Sequence, residues 1–145
     1  MKIFVAGGTG AIGKSLVPLL IDSGHQVIVL GRSARKAAPF RALGAQVVLA
    51  DALNKEELRK AILDTRPEVI IHQLTAIPAA LDLRKFDRDF ALTNRFRTEG
   101  TDVMLAAARR AGTRRFIAQS FCGWPFVREG GPVKTEEDPL DPNPP

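Results

Sequence analysis

The chain contains no tyrosine, one cysteine, one tryptophan and two histidines. A single cysteine, Cys122, cannot close an internal disulfide, which excludes a disulfide-stapled scaffold and fits a reducing, cytoplasmic setting. No apolar run reaches the roughly 18 residues that a bilayer-spanning helix needs. Met1-Lys2-Ile3-Phe4-Val5 runs straight into a strand pattern, without the basic leader, apolar stretch and cleavage site of a secretory signal. The Cys/His spacings of metal sites are also missing, so no metal is expected.

What is present suits one soluble α/β domain. The 145 residues are 45% hydrophobic and 26% charged, enough for a buried core. The net charge of +5 is uneven: residues 1–127 carry 19 basic against 11 acidic side chains, and residues 128–145 carry two against five. A phosphate-rich small ligand accounts for a basic body as well as a nucleic acid does. There is no zinc-finger spacing and no aromatic-studded basic strand, which argues against nucleic acid as the partner and leaves it the weakest reading.

Along the chain, apolar runs alternate with helical spacings. Ile3–Ala6 reads as a strand buried on both faces. A helix follows over 11–23, with Leu16, Leu19 and Leu20 on one face, a bend expected at Pro18 and a stop at Gly24. Strands are predicted at 26–30, 46–50, 69–74 and 115–120, and helices at 34–43, 54–65 and 91–111. Asn54 caps the third helix, with Glu56 and Glu57 in its first turn. Arg109, Arg110, Arg114 and Arg115 flank Gly112 and read as a solvated helix end. His72, inside an apolar strand, reads as a satisfied core histidine. The alternation predicts a Rossmann-type doubly wound parallel sheet of about five strands in the order 3-2-1-4-5, with helices on both faces. Residues 128–145 hold five prolines and the acidic cluster, and read as a loop or extended tail.

The first strand runs into Gly7-Gly8-Thr9-Gly10-Ala11-Ile12-Gly13. This satisfies G-x-G-x-x-G in its confirming context, after a strand and opening a helix. An early glycine makes the tight turn, Gly10 lets the backbone approach a pyrophosphate, and Gly13 lets helix and strand pack closely. The N–H groups of Ala11 and Ile12 then face the phosphates at the positive helix end. An NAD site places an acid after the second strand, about 20 residues past the glycines. Here the strand ends Leu30-Gly31-Arg32-Ser33. Arg32 suits a 2′-phosphate and Ser33 adds a hydroxyl, so NADP is expected, with NAD as the alternative.

In order along the chain stand "GGTGAIG", "LADALN", "VIIHQLTA", "NRFRTEGTDVMLAAARRAGTRRFIAQS" and "EEDPLDPNPP". Together these resemble the extended and atypical short-chain dehydrogenase/reductases, the NAD(P)-dependent epimerase/dehydratase family, over nearly the whole chain. The resemblance implies that Asp51 accepts from the adenine amine, with Ala52 and Leu53 beside the ring. It implies that Leu74, Thr75 and Ala76 line the path to the nicotinamide ribose, and that Asn94 stands behind the site and orders the fourth strand. Asp51 is equally well placed as a turn residue.

The family's acid/base is a tyrosine whose phenol, ordinarily titrating near 10, is activated by a lysine four residues on. With no tyrosine, Tyr-x-x-x-Lys is absent here. The resemblance places that tyrosine just past Pro145, so residues 1–127 are expected to be the cofactor-binding portion and 128–145 a lead into a catalytic and substrate portion. Ser120, at the end of the fifth strand, is the candidate for steadying a substrate oxygen, although a backbone-bonded hydroxyl fits as well. Cys122 reads as structural. The expected activity is hydride transfer with a carbonyl or sugar-nucleotide substrate in the intact enzyme. The alternative is a non-catalytic NADP-binding sensor or regulator. An uncovered fifth strand, with an apolar face near Phe121, Trp124 and Phe126, predicts a homodimer or modest stability.

Overall fold

A computed structural model describes residues 1–78, 83–120 and 126–143. The expectations placed on Phe121, Cys122, Trp124 and Pro145 fall outside these residues. Five parallel strands, β1 (Lys2–Ala6), β2 (Gln26–Gly31), β3 (Gln46–Leu49), β4 (Val69–His72) and β5 (Arg115–Ala118), form one sheet in the order β3-β2-β1-β4-β5. This is the expected doubly wound order, with the reversal between β1 and β4. Phe4 stands beside Ile28 and Ile70 in register, so the three strands present their apolar residues in rows.

The three central strands, β2, β1 and β4, are buried on both faces because the crossovers cover both. Alternate residues of β1 point to opposite layers. Ile3 and Val5 join Val27, Val29, Val17 and Phe40 beneath α1 (Ala11–Asp22) and α2 (Ala34–Ala42). Phe4 and Ala6 join Ile28, Ile70, Leu58, Ile62, Phe96 and Met104 beneath α3 (Lys55–Thr65) and the helix that leads to β5. Each fully buried side chain of this size contributes about 2 kcal/mol by leaving water.

Two helix expectations need correction. On α1 the buried residues are Gly13 and Val17, with Leu16, Leu20 and Ile21 partly covered, whereas Leu19 is 63% exposed. The stripe is set by Gly13 against the strand, a contact that an apolar count does not see. The helix predicted over 91–111 begins five residues earlier. It comprises α4 (Phe86–Arg95), a π-helical turn (Phe96–Gly100) and α5 (Thr101–Ala111). Asp87 and Asp89 complement the dipole in its first turn, and Phe86 stacks on Phe90 at 4.3 Å, so the charged stretch before Ala91 is helical. Gly112 ends α5 in the left-handed conformation (φ 77°).

Beyond β5 the chain folds back on itself. Val127 N–H donates to the Pro139 carbonyl at 3.1 Å, and Phe126 and Leu140 form an antiparallel bridge. Thr135 N–H donates to Asp138 Oδ2 at 2.7 Å, which closes the turn between them and helps hold the Asp138 carboxyl below its usual range.

Candidate cofactor site

The glycine turn is shaped by two close approaches. Gly7 has φ 95°, and a Cβ built there would stand 2.7 Å from the Gln73 carbonyl oxygen. A side chain at Gly7 is therefore excluded by conformation and by space. A methyl at Gly13 would fall inside contact distance of the Gly8 backbone, so α1 can reach the end of β1 only over glycine. Gly10 is the N-cap of α1, its N–H donating to the Gly7 carbonyl at 2.9 Å.

The start of α1 differs from that of α3. Asn54 Oδ1 accepts from the N–H groups of Glu56 and Glu57, and Glu57 reaches back to Asp51 N–H and Asn54 Nδ2. No side chain caps α1 and no acid stands in its first turn. Its first N–H groups are left uncapped with the helix dipole behind them, the arrangement that suits an anion.

Two adjoining cavities lie along the carboxyl ends of the strands. The first, about 120 Å³, is lined by Gly7, Thr9 and Gly10, by Leu30, Gly31 and Arg32, by Ala50 and Ala52, and by Gln73, Leu74, Thr75 and Phe96. The second, about 280 Å³, is lined by Gly7, Gly10, Ala11 and Ile12 on one side, and by Gln73, Thr75, Ile77, Arg97, Gln119 and Ser120 on the other. They share Gly7, Gly10, Gln73 and Thr75, so they form one groove across the strand reversal, where doubly wound sheets bind ligands. Among the described residues, Arg32 is the charged residue that lines the first cavity and Arg97 the second, and no carboxylate lines either.

The structure thus brings Gly7, Thr9, Gly10, Ala11, Ile12, Arg32, Ala52, Leu74, Thr75 and Ser120 to the groove. Gly13 is buried behind it. Ser33 caps α2, its Oγ accepting from Lys36 N–H at 3.4 Å. Asp51 is exposed beside the first cavity, and its Oδ1 accepts from Leu53 N–H at 3.0 Å in an Asx turn. Leu53 packs on the core layer beneath α3. Ala76 lines neither cavity; its N–H donates to Thr93 Oγ1 at 2.9 Å. Asn94 is exposed on α4 and lines neither cavity, because the helix turns Thr93 and Phe96 inward instead. Thr93, fully buried and one residue before Asn94, is thus one side chain that holds the chain after β4.

Sequence reasoning missed Gln73, Arg97 and Gln119. Gln73 directly precedes Leu74, and its Oε1 is buried with no hydrogen-bond partner among the described residues. Arg97 reaches the groove from the π turn, which has no signature in the sequence. His72 Nδ1 accepts from Leu74 N–H at 3.2 Å, so the ring is the Nε2–H tautomer and donates to the Phe96 carbonyl at 3.1 Å. Burial holds its pKa below the ordinary 6.5; the Phe96 carbonyl opposes that shift and the Arg97 charge adds to it.

The sequence pattern of the NAD(P)H-binding family matches residues 7–138, from the first glycine of the turn to the end of the acidic segment. The chain belongs to the NAD(P)H-binding family. It is 44% identical over 140 residues to a 3-diazoavenalumate denitrifying reductase of Streptomyces sp, covering 97% of this chain and 44% of that protein. It is 33% identical over 117 residues to a 4-hydroxy-2-methyl-3-oxo-4-farnesyl-3,4-dihydroquinoline-1-oxide ketoreductase of Stigmatella aurantiaca, covering 81% of this chain and 32% of that one. Photosystem II assembly factor Ycf39 of Synechocystis is 32% identical over 117 residues, covering 81% and 32%. Among solved structures, the UDP-glucose 4-epimerase of Thermus thermophilus in complex with NAD superposes with a TM-score of 0.77 at 26% identity, over 98% of this chain and 45% of that one. That of Thermotoga maritima with UDP-glucose gives 0.77 at 25%, over 99% and 46%. The chain thus spans less than half the length of these relatives. It is an NAD(P)-binding domain, similar to those of reductases and epimerases.

Proposed function

We propose that this domain binds NADP and serves a cytoplasmic reductase whose substrate-binding portion follows residue 127. The observation that carries NADP is Arg32 at the end of β2, lining the first cavity with no carboxylate among the described residues of that lining. An acid at this point would bind the ribose hydroxyls of NAD and repel a 2′-phosphate; a guanidinium reverses both preferences. Ser33 keeps its hydroxyl proton while its oxygen caps α2, so it can donate to the same phosphate. Ala52 and the Asp51 turn would flank the adenine of a bound cofactor, and with Asp51 Oδ1 taken by Leu53 N–H, Oδ2 would be the oxygen to accept from its amine.

When bound, the nicotinamide supplies hydride transfer to or from a carbonyl carbon. The chain's own residues hold and orient. The uncapped start of α1 takes the pyrophosphate, Gly7 and Gly10 let it approach the main chain, and Leu74 and Thr75 wall the ribose. Ser120 and Gln119 stand at the far end of the second cavity, where a substrate oxygen would be steadied. Mutual pairing of the exposed β5 edge would give a homodimer.

Titration with NADPH and NADH tests the assignment. Tighter NADPH binding, reduced about 100-fold by Arg32→Asp as expected for a lost charge-assisted pair of about 2.7 kcal/mol, supports it. Tighter NADH binding by the unaltered chain overturns it. A second reading, a non-catalytic NADP-binding regulator, is favoured by the assembly-factor relative. NADPH binding with no turnover of any carbonyl substrate by the longest natural form of the protein would support that reading.

A further inference from the structure

We propose that His72 is a positioning residue of the cofactor groove, a neutral imidazole that ties the end of β4 to the π turn and so fixes the two walls of the first cavity relative to each other. The proposal rests on the groove being the cofactor site. His72 is the last residue of β4 and is 4% exposed. It touches neither cavity, so it takes no part in binding or chemistry itself. Each of its ring nitrogens holds a backbone group of a residue that does line the groove. Nδ1 takes the N–H of Leu74, and Nε2–H gives to the carbonyl of Phe96. Leu74 and Phe96 both line the first cavity, and Arg97, next along the π turn, lines the second.

The π turn explains why such a tie is needed. A π turn moves the helical hydrogen bond from the fourth residue to the fifth, which disturbs the carbonyl ladder at the insertion and frequently marks a functional site. The Phe96 carbonyl, where that turn opens, is the one His72 engages. The Phe96 ring stays in the core at 2% exposure, while the next residue, Arg97, is carried to the groove. Without the imidazole, the part-buried Leu74 N–H loses its partner, the Phe96 carbonyl loses its tie to β4, and the distance across the cavity is no longer set.

The tie works in one protonation state. A protonated ring would present a second N–H to the N–H of Leu74, donor against donor. In register, Ala6 on β1 and Ala118 on β5 stand beside His72 and carry no charge, and Phe116 of β5 meets the ring edge-on at 6.4 Å. The charge acting on the ring is that of Arg97 on the π turn, which disfavours protonation.

Half-replacements dissect the tie. Asn places an acceptor near the Nδ1 position, and Gln places a donor near the Nε2 position. NADPH titrations compare the unaltered chain with His72→Leu, His72→Asn and His72→Gln, each checked for folding by circular dichroism and measured well below its melting temperature. His72→Leu is expected to weaken NADPH binding about tenfold, and Asn and Gln each to recover part of that loss. Lowering the pH from 8 to 5 is expected to weaken binding more in the unaltered chain than in His72→Asn, which has no titrating ring. The 2′-phosphate titrates alike in both and cancels. Folded Leu, Asn and Gln variants that bind NADPH as tightly as the unaltered chain would overturn the proposal and leave the cofactor site standing, as would identical pH profiles for the unaltered chain and His72→Asn. Failure of the unaltered chain itself to bind NADPH would remove both.

Discussion

On the β1–β2 side of the groove, the main chain makes the site. Gly7, Gly10 and Gly13 bring backbone against backbone, the start of α1 offers bare N–H groups, and one side chain, Arg32, adds charge. On the β4–β5 side, side chains make it. His72 holds Leu74 and Phe96, Thr93 holds Ala76, and a π turn delivers Arg97. Apart from Gly7, which meets Gln73 across the strand reversal, the first construction is local: the residues that touch lie within about one strand–helix unit of each other. The second joins positions 17 and 24 residues apart. The two halves should therefore fail differently when altered. The glycine half should lose its fold and its ligand together. The side-chain half should lose ligand affinity or stability by degrees.

The largest effect is expected at Gly13. Valine there sets a branched side chain against the backbone of Gly8, with no flexible neighbour to yield. Overpacking of this kind should destabilise the domain by about 3 kcal/mol or more, since neither α1 nor β1 can withdraw without breaking the sheet contact. Denaturant unfolding would show it as a fall in midpoint, with NADPH binding lost in parallel. A Gly13→Val protein that kept both would mean that α1 does not approach β1 as described.

This asymmetry also decides what could be read from the sequence. The glycine turn, the cap at Asn54 and the strand order follow from residues whose backbone preferences act within a few positions, and the structure contains all three. The π turn does not follow from "FRTEG", because no residue type in that stretch marks it; the structure shows it opening at Phe96, whose ring is buried and whose carbonyl meets His72. The groove residue on this stretch is Arg97, on the π turn, while Asn94 is exposed and lines neither cavity. Leu19 misled for a related reason: an apolar spacing shows that a helix has a face, while Gly13 decides which face meets the sheet.

A middle-sized effect should come from Thr93. It is fully buried, and its Oγ1 accepts from Ala76 N–H. Thr93→Val keeps the shape and removes the acceptor, leaving a part-buried N–H unpaired, which should lower stability by about 1–2 kcal/mol. The cofactor should also bind more weakly, because Ala76 closes the segment that carries Leu74 and Thr75. Equal affinity in the two proteins would show that this segment is held from elsewhere, and would make the β4 side less dependent on side chains than the comparison holds.

The pH dependence of stability probes the same half. The folded state holds His72 neutral with its pKa below 6.5, and the unfolded chain takes up a proton first as the pH falls. The contribution is therefore whole above about pH 6.5 and is lost as the pH drops toward the depressed folded value, at up to about 1.4 kcal/mol per pH unit. Urea titrations at pH 7.5 and 5.5 should show the loss, and His72→Asn should reduce it. A profile unchanged by that substitution would assign the loss to the carboxylates.

The smallest effect separates the two helix starts. Asn54→Ala removes the acceptor for two N–H groups at α3 and the partner of Glu57, and should lower stability by about 1 kcal/mol. NADPH affinity should stay within twofold of the unaltered chain, because α3 begins outside both cavities. The bare start of α1 makes the opposite expectation: with no cap to lose, its N–H groups gain their partner from the ligand, so NADPH should raise the melting temperature of both proteins by the same amount. A smaller rise in Asn54→Ala would mean that the start of α3 also supports the cofactor, through the Asp51 turn that Glu57 holds. The difference in thermal shift is thus a direct reading of whether that turn belongs to the site or only to the fold.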